Sequence, residues 1–215
     1  MSQYYMSTHQ LLGQTLHLLP EKGIFWEEKN YLILADLHLG KAGHFRKSGI
    51  PISDLIHSKD ILILDKLIAK FKPQQVIFLG DLFHSDHNQG WEVFKRWIKS
   101  KGPLPFKLVL GNHDVLDESS YRISNLKVME KLSLHPFDLT HIPEETELYN
   151  LAGHIHPAVR LTGKGRQSLR LPCFYFGKKN GLLPAFGNFT GTAKINIDKT
   201  DTVFAIADNK VVRVN

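Results

Sequence analysis

Residues 31–38 read YLILADLH: a nearly continuous apolar run closes on Asp36 and is followed at once by His38. A short run of this kind predicts a buried strand over 31–36. The same pattern recurs three times. QQVIFLGD (74–81), FKLVLGNHD (106–114) and YNLAGHIHP (149–157) each carry an apolar strand into a cluster of Asp, Asn or His. Between them lie predicted helices. Ser53 offers an N-cap for a helix over 54–71, with Leu55, Leu62 and Leu67 on its apolar face and Pro73 as its stop. GWEVFKRWIKS (90–100) is amphipathic, with Trp91, Phe94 and Ile98 at helical spacing, so its tryptophans are expected in the core. Strands alternating with helices predict an α/β fold. GIFWEE (23–28) reads as a hairpin partner of the first strand, across a turn at Lys29-Asn30. The segments LRLPCFYFG, LLPAFG, KINID and VFAIADNKVVRV read as β-rich, the last with an Asp-Asn turn at 208–209.

The 215 residues, with no repeat and no low-complexity linker, predict one domain. A hydrophobic fraction of 42% and a charged fraction of 22% are those of an ordinary globular chain. No apolar run approaches the ~18 residues of a membrane span. The N-terminal stretch lacks a basic region, a long apolar segment and a small-residue cleavage site, so export is not expected. One cysteine, Cys173, suits a reducing cytoplasm, and in LPCFYF it reads as a small buried residue. The formal charge of +6 favours anionic partners such as nucleic acid without establishing one.

In α/β folds, sites form outside the carboxyl ends of strands. Four strand-end clusters can therefore meet: Asp36-Leu-His38, Gly80-Asp81-Leu-Phe-His84, Gly111-Asn112-His113-Asp114 and Gly153-His154-Ile-His156. Alternation along an extended segment would put Asp36 and His38 on one side, and likewise His154 and His156. Carboxylate, imidazole and amide oxygen suit Mn, Fe, Co, Ni or Zn, and the absence of cysteine ligands argues against a structural zinc site. Glycines at 80, 111 and 153 are expected to let the backbone turn sharply before the ligands. Each motif alone is weak, because a lone histidine after a strand is more often an ordinary core or surface residue. The four in this order are specific.

The set D-x-H, G-D-x-x-H, G-N-H-D and G-H-x-H resembles the signature of calcineurin-like metallophosphoesterases. The flanks LLPEKGIFWEEKNYLILADLHLGKAGHFRKSGIPIS, GHIHPAVRL, LPCF and LPAFGNFTG are similar to the ligase-associated DNA damage response endonucleases (the PdeM family), over roughly residues 11–191. The resemblance implies a four-layer αββα sandwich of two mixed β-sheets. It implies two divalent ions, expected to be manganese, with Fe, Zn, Ni or Co as alternatives. Asp36, His38, Asp81 and His156 would hold one ion. Asp81 would bridge to the second, which adds Asn112, His141 and His154. Two histidines stand before the last motif, His135 and His141; the resemblance favours His141, with His135 an ordinary loop residue. His113 resembles the family's catalytic histidine, stabilising the transition state or protonating the leaving oxygen. His84 stands where phosphoprotein phosphatases carry aspartate, a feature of the nuclease branch, and is assigned a catalytic role in placing a DNA phosphate. Asp114 would orient His113 or serve a turn.

Two basic segments flank these clusters. Lys41, His44, Arg46 and Lys47 follow the first, and Arg160, Lys164, Arg166 and Arg170 follow the last. Lys and Arg neutralise phosphates without reading sequence. For any one residue of the second segment, a solvated surface role is the better reading. Lys41, Arg46, Asn188 and Thr190 match the family and are the substrate-side candidates, whereas Phe45, Phe186 and Phe189 read as core. The leading expectation is a cytoplasmic DNA endonuclease, monomeric or homodimeric and without a membrane. The resemblance alone links it to a DNA ligase and a helicase or exonuclease of one repair system. The competing readings are a phosphodiesterase or phosphatase of small cyclic nucleotides, and a binding module that has lost its metals.

Overall fold

A computed structural model of the chain describes residues 5–39, 55–83, 89–117, 119–163, 167–187 and 190–215. Ser53, Lys41, His44, Arg46, Lys47, His84, Lys164, Arg166, Asn188, Phe45 and Phe189 lie outside them.

The first sheet takes seven strands in chain order: β1 (Ser7–Leu11), β2 (Gln14–Leu18), β3 (Ile24–Trp26), β4 (Tyr31–Ala35), β5 (Gln75–Leu79), β6 (Phe106–Val109) and β7 (Leu126–Met129). β1 to β4 form an antiparallel meander that includes the expected β3–β4 hairpin. From β4 onward the pairing is parallel. Two helices, α1 (Leu55–Phe71) and α2 (Gln89–Ser100), supply the crossovers β4–β5 and β5–β6.

The second sheet contains β8 (Leu132–Leu134), β9 (Phe137–Thr140), β10 (Tyr149–Ala152), β11 (Pro157–Thr162), β12 (Ser168–Phe176), β13 (Asn180–Leu182), β14 (Ala193–Lys194), β15 (Thr202–Ala207) and β16 (Lys210–Arg213). Its order is β14-β11-β12-β13-β10-β9-β8, with β15 also on β12 and β16 on β15. β9, β10 and β13 run parallel. β15 and β16 are joined through the two-residue turn at Asp208-Asn209.

Alternation along the strands explains the layers. Leu32, Leu34, Val76, Phe78, Phe106 and Leu108 point to the helices and pack on Leu64, Leu67, Trp91, Phe94 and Ile98. Ile33, Ala35, Ile77, Leu79 and Val109 point the other way, onto Phe137, Leu139, Leu151 and Phe174 of the second sheet and Leu183 just beyond β13. Each Val, Leu, Ile or Phe side chain among them contributes about 1.5–3 kcal/mol on full burial. On the second sheet's outer face, Val159, Cys173, Val203 and Ala205 collect Ile195 and Ile197. The architecture is thus the expected α/β sandwich of two mixed sheets. Cys173 is buried there, and burial pushes its thiol up to about 12. Among the described residues no helix is long and apolar enough to cross a membrane.

Several local expectations change. The four strands end earlier than predicted, at Ala35, Leu79, Val109 and Ala152, so the polar clusters occupy loops. On α1 the buried face is Ile61, Leu64 and Leu67, while Leu62 is exposed, because one residue's step of a helix turns the side chain away from the sheet. KINID contributes only Lys194 to a strand, and Leu183–Phe186 leave the sheet after β13. Phe186 is buried in the helix-side core as expected.

Candidate dinuclear metal site

Five parallel strands end at one place. β4, β5 and β6 deliver Asp36 and His38, Asp81, and Asn112 with His113; β9 and β10 deliver His141, and His154 with His156. The backbone reaches this convergence by an unexpected route. Asp36, His38, Asp81, His154 and His156 all have left-handed φ, between 47° and 65°. Extended alternation therefore does not aim Asp36 and His38 inward; alternate left-handed residues in the loops do. Such a conformation costs non-glycine residues about 1–3 kcal/mol each and persists where surrounding structure over-determines it. Asp and His tolerate it better than branched residues do. The surrounding ties are visible: Asp36 and His38 N–H groups donate to the Gly80 and Asp81 carbonyls at 3.2 and 2.9 Å, and Gly187 N–H donates to Asp36 O at 3.1 Å.

The glycine expectation holds in part. Gly80 does turn, with φ +68°, and a Cβ there would enter the His141 ring. Gly111 and Gly153 have no left-handed φ. They are small because other groups lie against them: the Asp81 backbone N and carboxylate at Gly111, and Asp36 Oδ2 at 2.6 Å from a built Cβ at Gly153. Gly111→Ala is expected to displace Asp81, lowering stability by about 1–3 kcal/mol and reducing bound metal. Thermal melts and metal analysis check this, with Gly163→Ala as the tolerated control.

The donor atoms fall into two groups, Asp36/His38/His156 and Asp81/His141/His154, each with its atoms within 4.8 Å of one another. In the first, His156 Nε2 lies 3.5 Å from both Asp36 Oδ1 and His38 Nε2. In the second, His141 Nε2 lies 3.0 Å from Asn112 Oδ1, 3.1 Å from His154 Nδ1 and 3.4 Å from Asp81 Oδ1. Asp81 faces both groups, its other oxygen 3.7 Å from His38 Nε2.

These spacings fit metal ions. Metal–donor distances of about 2.0–2.2 Å put adjacent donors roughly 3.0–3.5 Å apart around one ion. The protonation pattern fits as well. His141 Nδ1 faces the Leu79 carbonyl at 3.1 Å, and His156 Nδ1 faces the Gly191 carbonyl at 3.0 Å. A carbonyl accepts only, so we assign each Nδ1 as the N–H, leaving Nε2 as a lone pair aimed into the site. Lone pairs of imidazole, amide and carboxylate then face one another, an arrangement that a cation satisfies. Asp36 and Asp81 are 0% and 3% exposed, and among the described residues neither is paired with Lys or Arg. Buried carboxylates require such compensation.

The remaining residues brace this arrangement. His154 N–H donates to both Asp36 oxygens, at 3.2 and 2.9 Å. His113 N–H donates to Asp81 Oδ1 at 3.0 Å, and its ring meets that of His38 edge-on at 5.7 Å. Asp114 accepts from Phe83 N–H at 3.2 Å and Gly111 N–H at 2.9 Å, tying the β5 and β6 loops as a turn brace. Burial pushes its carboxyl up to about 7, with the Asp81 charge adding and these N–H bonds opposing. His135 sits exposed in the β8–β9 turn and belongs to neither donor group. Thr190 donates its hydroxyl to Gly187 O at 2.9 Å, in the loop whose Gly191 orients His156. The Leu79 and Gly191 carbonyls were missed by sequence reasoning, since a main-chain oxygen leaves no residue-type signal.

The calcineurin-like phosphoesterase family matches residues 29–204. Among solved structures, the chain is similar to the Pseudomonas putida nuclease MPE, at 31% identity and a TM-score of 0.81, over 97% of this chain and all of that one. It also aligns with YfcE, a phosphoesterase from E. coli, at 14% identity and a TM-score of 0.43, over 86% of this chain and 97% of that one. No curated protein matches the chain.

Proposed function

The chain belongs to the calcineurin-like phosphoesterase family, and from that premise we propose that this dinuclear metal phosphoesterase is a manganese-dependent DNA endonuclease of a cytoplasmic repair system. The observation that carries the chemistry is Asp81, which turns one carboxylate oxygen to each donor group. Asp36, His38, Asp81 and His156 would hold one ion, and Asp81, Asn112, His141 and His154 the other. Two divalent ions bound there would offset phosphate charge and bring the pKa of water toward neutrality. The chain's own contribution is placement. Leu79 and Gly191 carbonyls fix the two imidazoles, and Asp36 and Asp81 bring the negative charge that selects cations. His113, anchored through its main chain on Asp81, stands at the rim to stabilise charge or donate a proton to the leaving oxygen. His84, Lys41, Arg46, Asn188 and Thr190 are assigned to the substrate side.

DNA as the substrate is supported by the likeness to the Pseudomonas nuclease and by the basic charge. The link to a ligase and a helicase or exonuclease follows from the sequence resemblance. The test is incubation of purified protein and manganese with circular single-stranded DNA and, separately, with 2′,3′-cyclic nucleotides. Nicking of the circle, stopped by chelation and restored by manganese, is the expected result. Turnover of cyclic nucleotides with intact circles would overturn the nuclease reading in favour of a small-nucleotide phosphodiesterase.

A further inference from the structure

β11 begins directly after His156 and pairs antiparallel with β12, setting Arg160 opposite Arg170 and Thr162 opposite Ser168. Alternation puts Arg160 and Thr162 on the same side as Ser168, Arg170, Pro172 and Phe174. Phe174 belongs to the core between the sheets. The arginine side is therefore the one turned toward the first sheet, continued beyond its edge into solvent. Lys194 joins from β14, in register with Ala158. Arg160, Arg170 and Lys194 are all exposed.

Neutral acceptors hold the two guanidiniums. Arg160 Nη2 donates to Ser168 Oγ at 2.8 Å, and Arg170 donates to the Thr192 carbonyl. Among the described residues neither is in an ion pair, so both charges remain available. At the foot of this face Pro172 lines a cavity of 320 Å³ with Lys22 and Phe186. Phe186 N–H in turn donates to Ala35 O, beside Asp36. Glu21 and Asp208 also line the cavity, so the positive surface is the hairpin rather than the cavity.

We propose that the β11–β12 hairpin is an arm that holds the backbone of a nucleic-acid strand running away from the cleaved phosphodiester; this rests on the nuclease reading above. Arg160 lies four residues past His156, about 13 Å along an extended strand, so it meets phosphates beyond the reacting one. Charge complementarity selects a polyanion. The opposite face offers Leu161 against Leu169, both exposed and uncharged.

The test compares Arg160→Ala/Arg170→Ala with the wild-type enzyme on three manganese-dependent substrates: a single-stranded oligonucleotide of about 20 residues, a dinucleotide and bis(p-nitrophenyl) phosphate. For the long substrate kcat/KM is expected to fall at least about tenfold, and its log–log salt slope to flatten by about 1.4. The two short substrates should change less than about twofold. Arg160→Lys/Arg170→Lys should retain most of the long-substrate activity, as should Leu161→Ser/Leu169→Ser. Unchanged long-substrate cleavage, or equal loss on all three, would overturn the arm while leaving the nuclease reading in place. A wild-type enzyme that hydrolyses bis(p-nitrophenyl) phosphate but no oligonucleotide would overturn the nuclease reading itself.

Discussion

Asp81→Asn is expected to lower metal-dependent phosphodiester hydrolysis by about 10²–10³, the equivalent of several kcal/mol of lost charge stabilisation. The side chain has nearly the same shape, so packing should survive. What changes is charge and donor capacity at a carboxylate whose two oxygens lie toward His38 Nε2 of one donor group and His141 Nε2 of the other. The substitution also leaves Asp36 as the single carboxylate of the two donor groups. Bound metal should therefore drop from two equivalents toward one or fewer. Elemental analysis alongside kcat measures both effects; full activity with two bound ions would refute the shared role of Asp81.

His113→Ala should produce a loss of about 10²–10⁴ in kcat for a different reason. Its ring lies beside the His38 ring rather than within either donor group. Its main-chain bond to Asp81 survives truncation of the side chain. Metal content should remain at two equivalents while turnover collapses, and the loss should be smaller for substrates with a good leaving group, such as p-nitrophenolate, which needs little proton assistance. Unchanged turnover of DNA would remove His113 from the chemistry.

The two substitutions separate what was legible in the sequence from what was not. Residue types at strand ends were legible, because an apolar run stopping at Asp, Asn or His has few structural reasons to recur four times. The left-handed geometry at Asp36, His38, Asp81, His154 and His156 was not, because outside a tight turn such as that at Asp208 it depends on bonds from distant segments. Those bonds join Asp36 to Gly187 and His154, far along the chain. The glycines misled for a related reason. Gly111 and Gly153 read as turns but are approach points, and which group approaches depends on how the two sheets face each other. Leu62 was assigned to a buried face by hydrophobicity alone, whereas the packing of α1 selected Ile61, Leu64 and Leu67.

Each donor group draws from both sheets: Asp36 and His38 with His156, and Asp81 with His141 and His154. A bound ion would consequently be a crosslink across the sandwich, joining positions such as 38 and 156 that are 118 residues apart. Closing a loop of about 100 residues in the unfolded chain is worth roughly 4–5 kcal/mol by the reasoning applied to disulfides. The same ions would thus clamp the carboxyl ends of the two sheets together. Chelation is expected to lower the melting temperature and to speed amide exchange first in β4, β5, β9 and β10, leaving the α1–α2 side slower to respond. For this molecule, loss of metal would be a loss of tertiary connectivity as well as of chemistry.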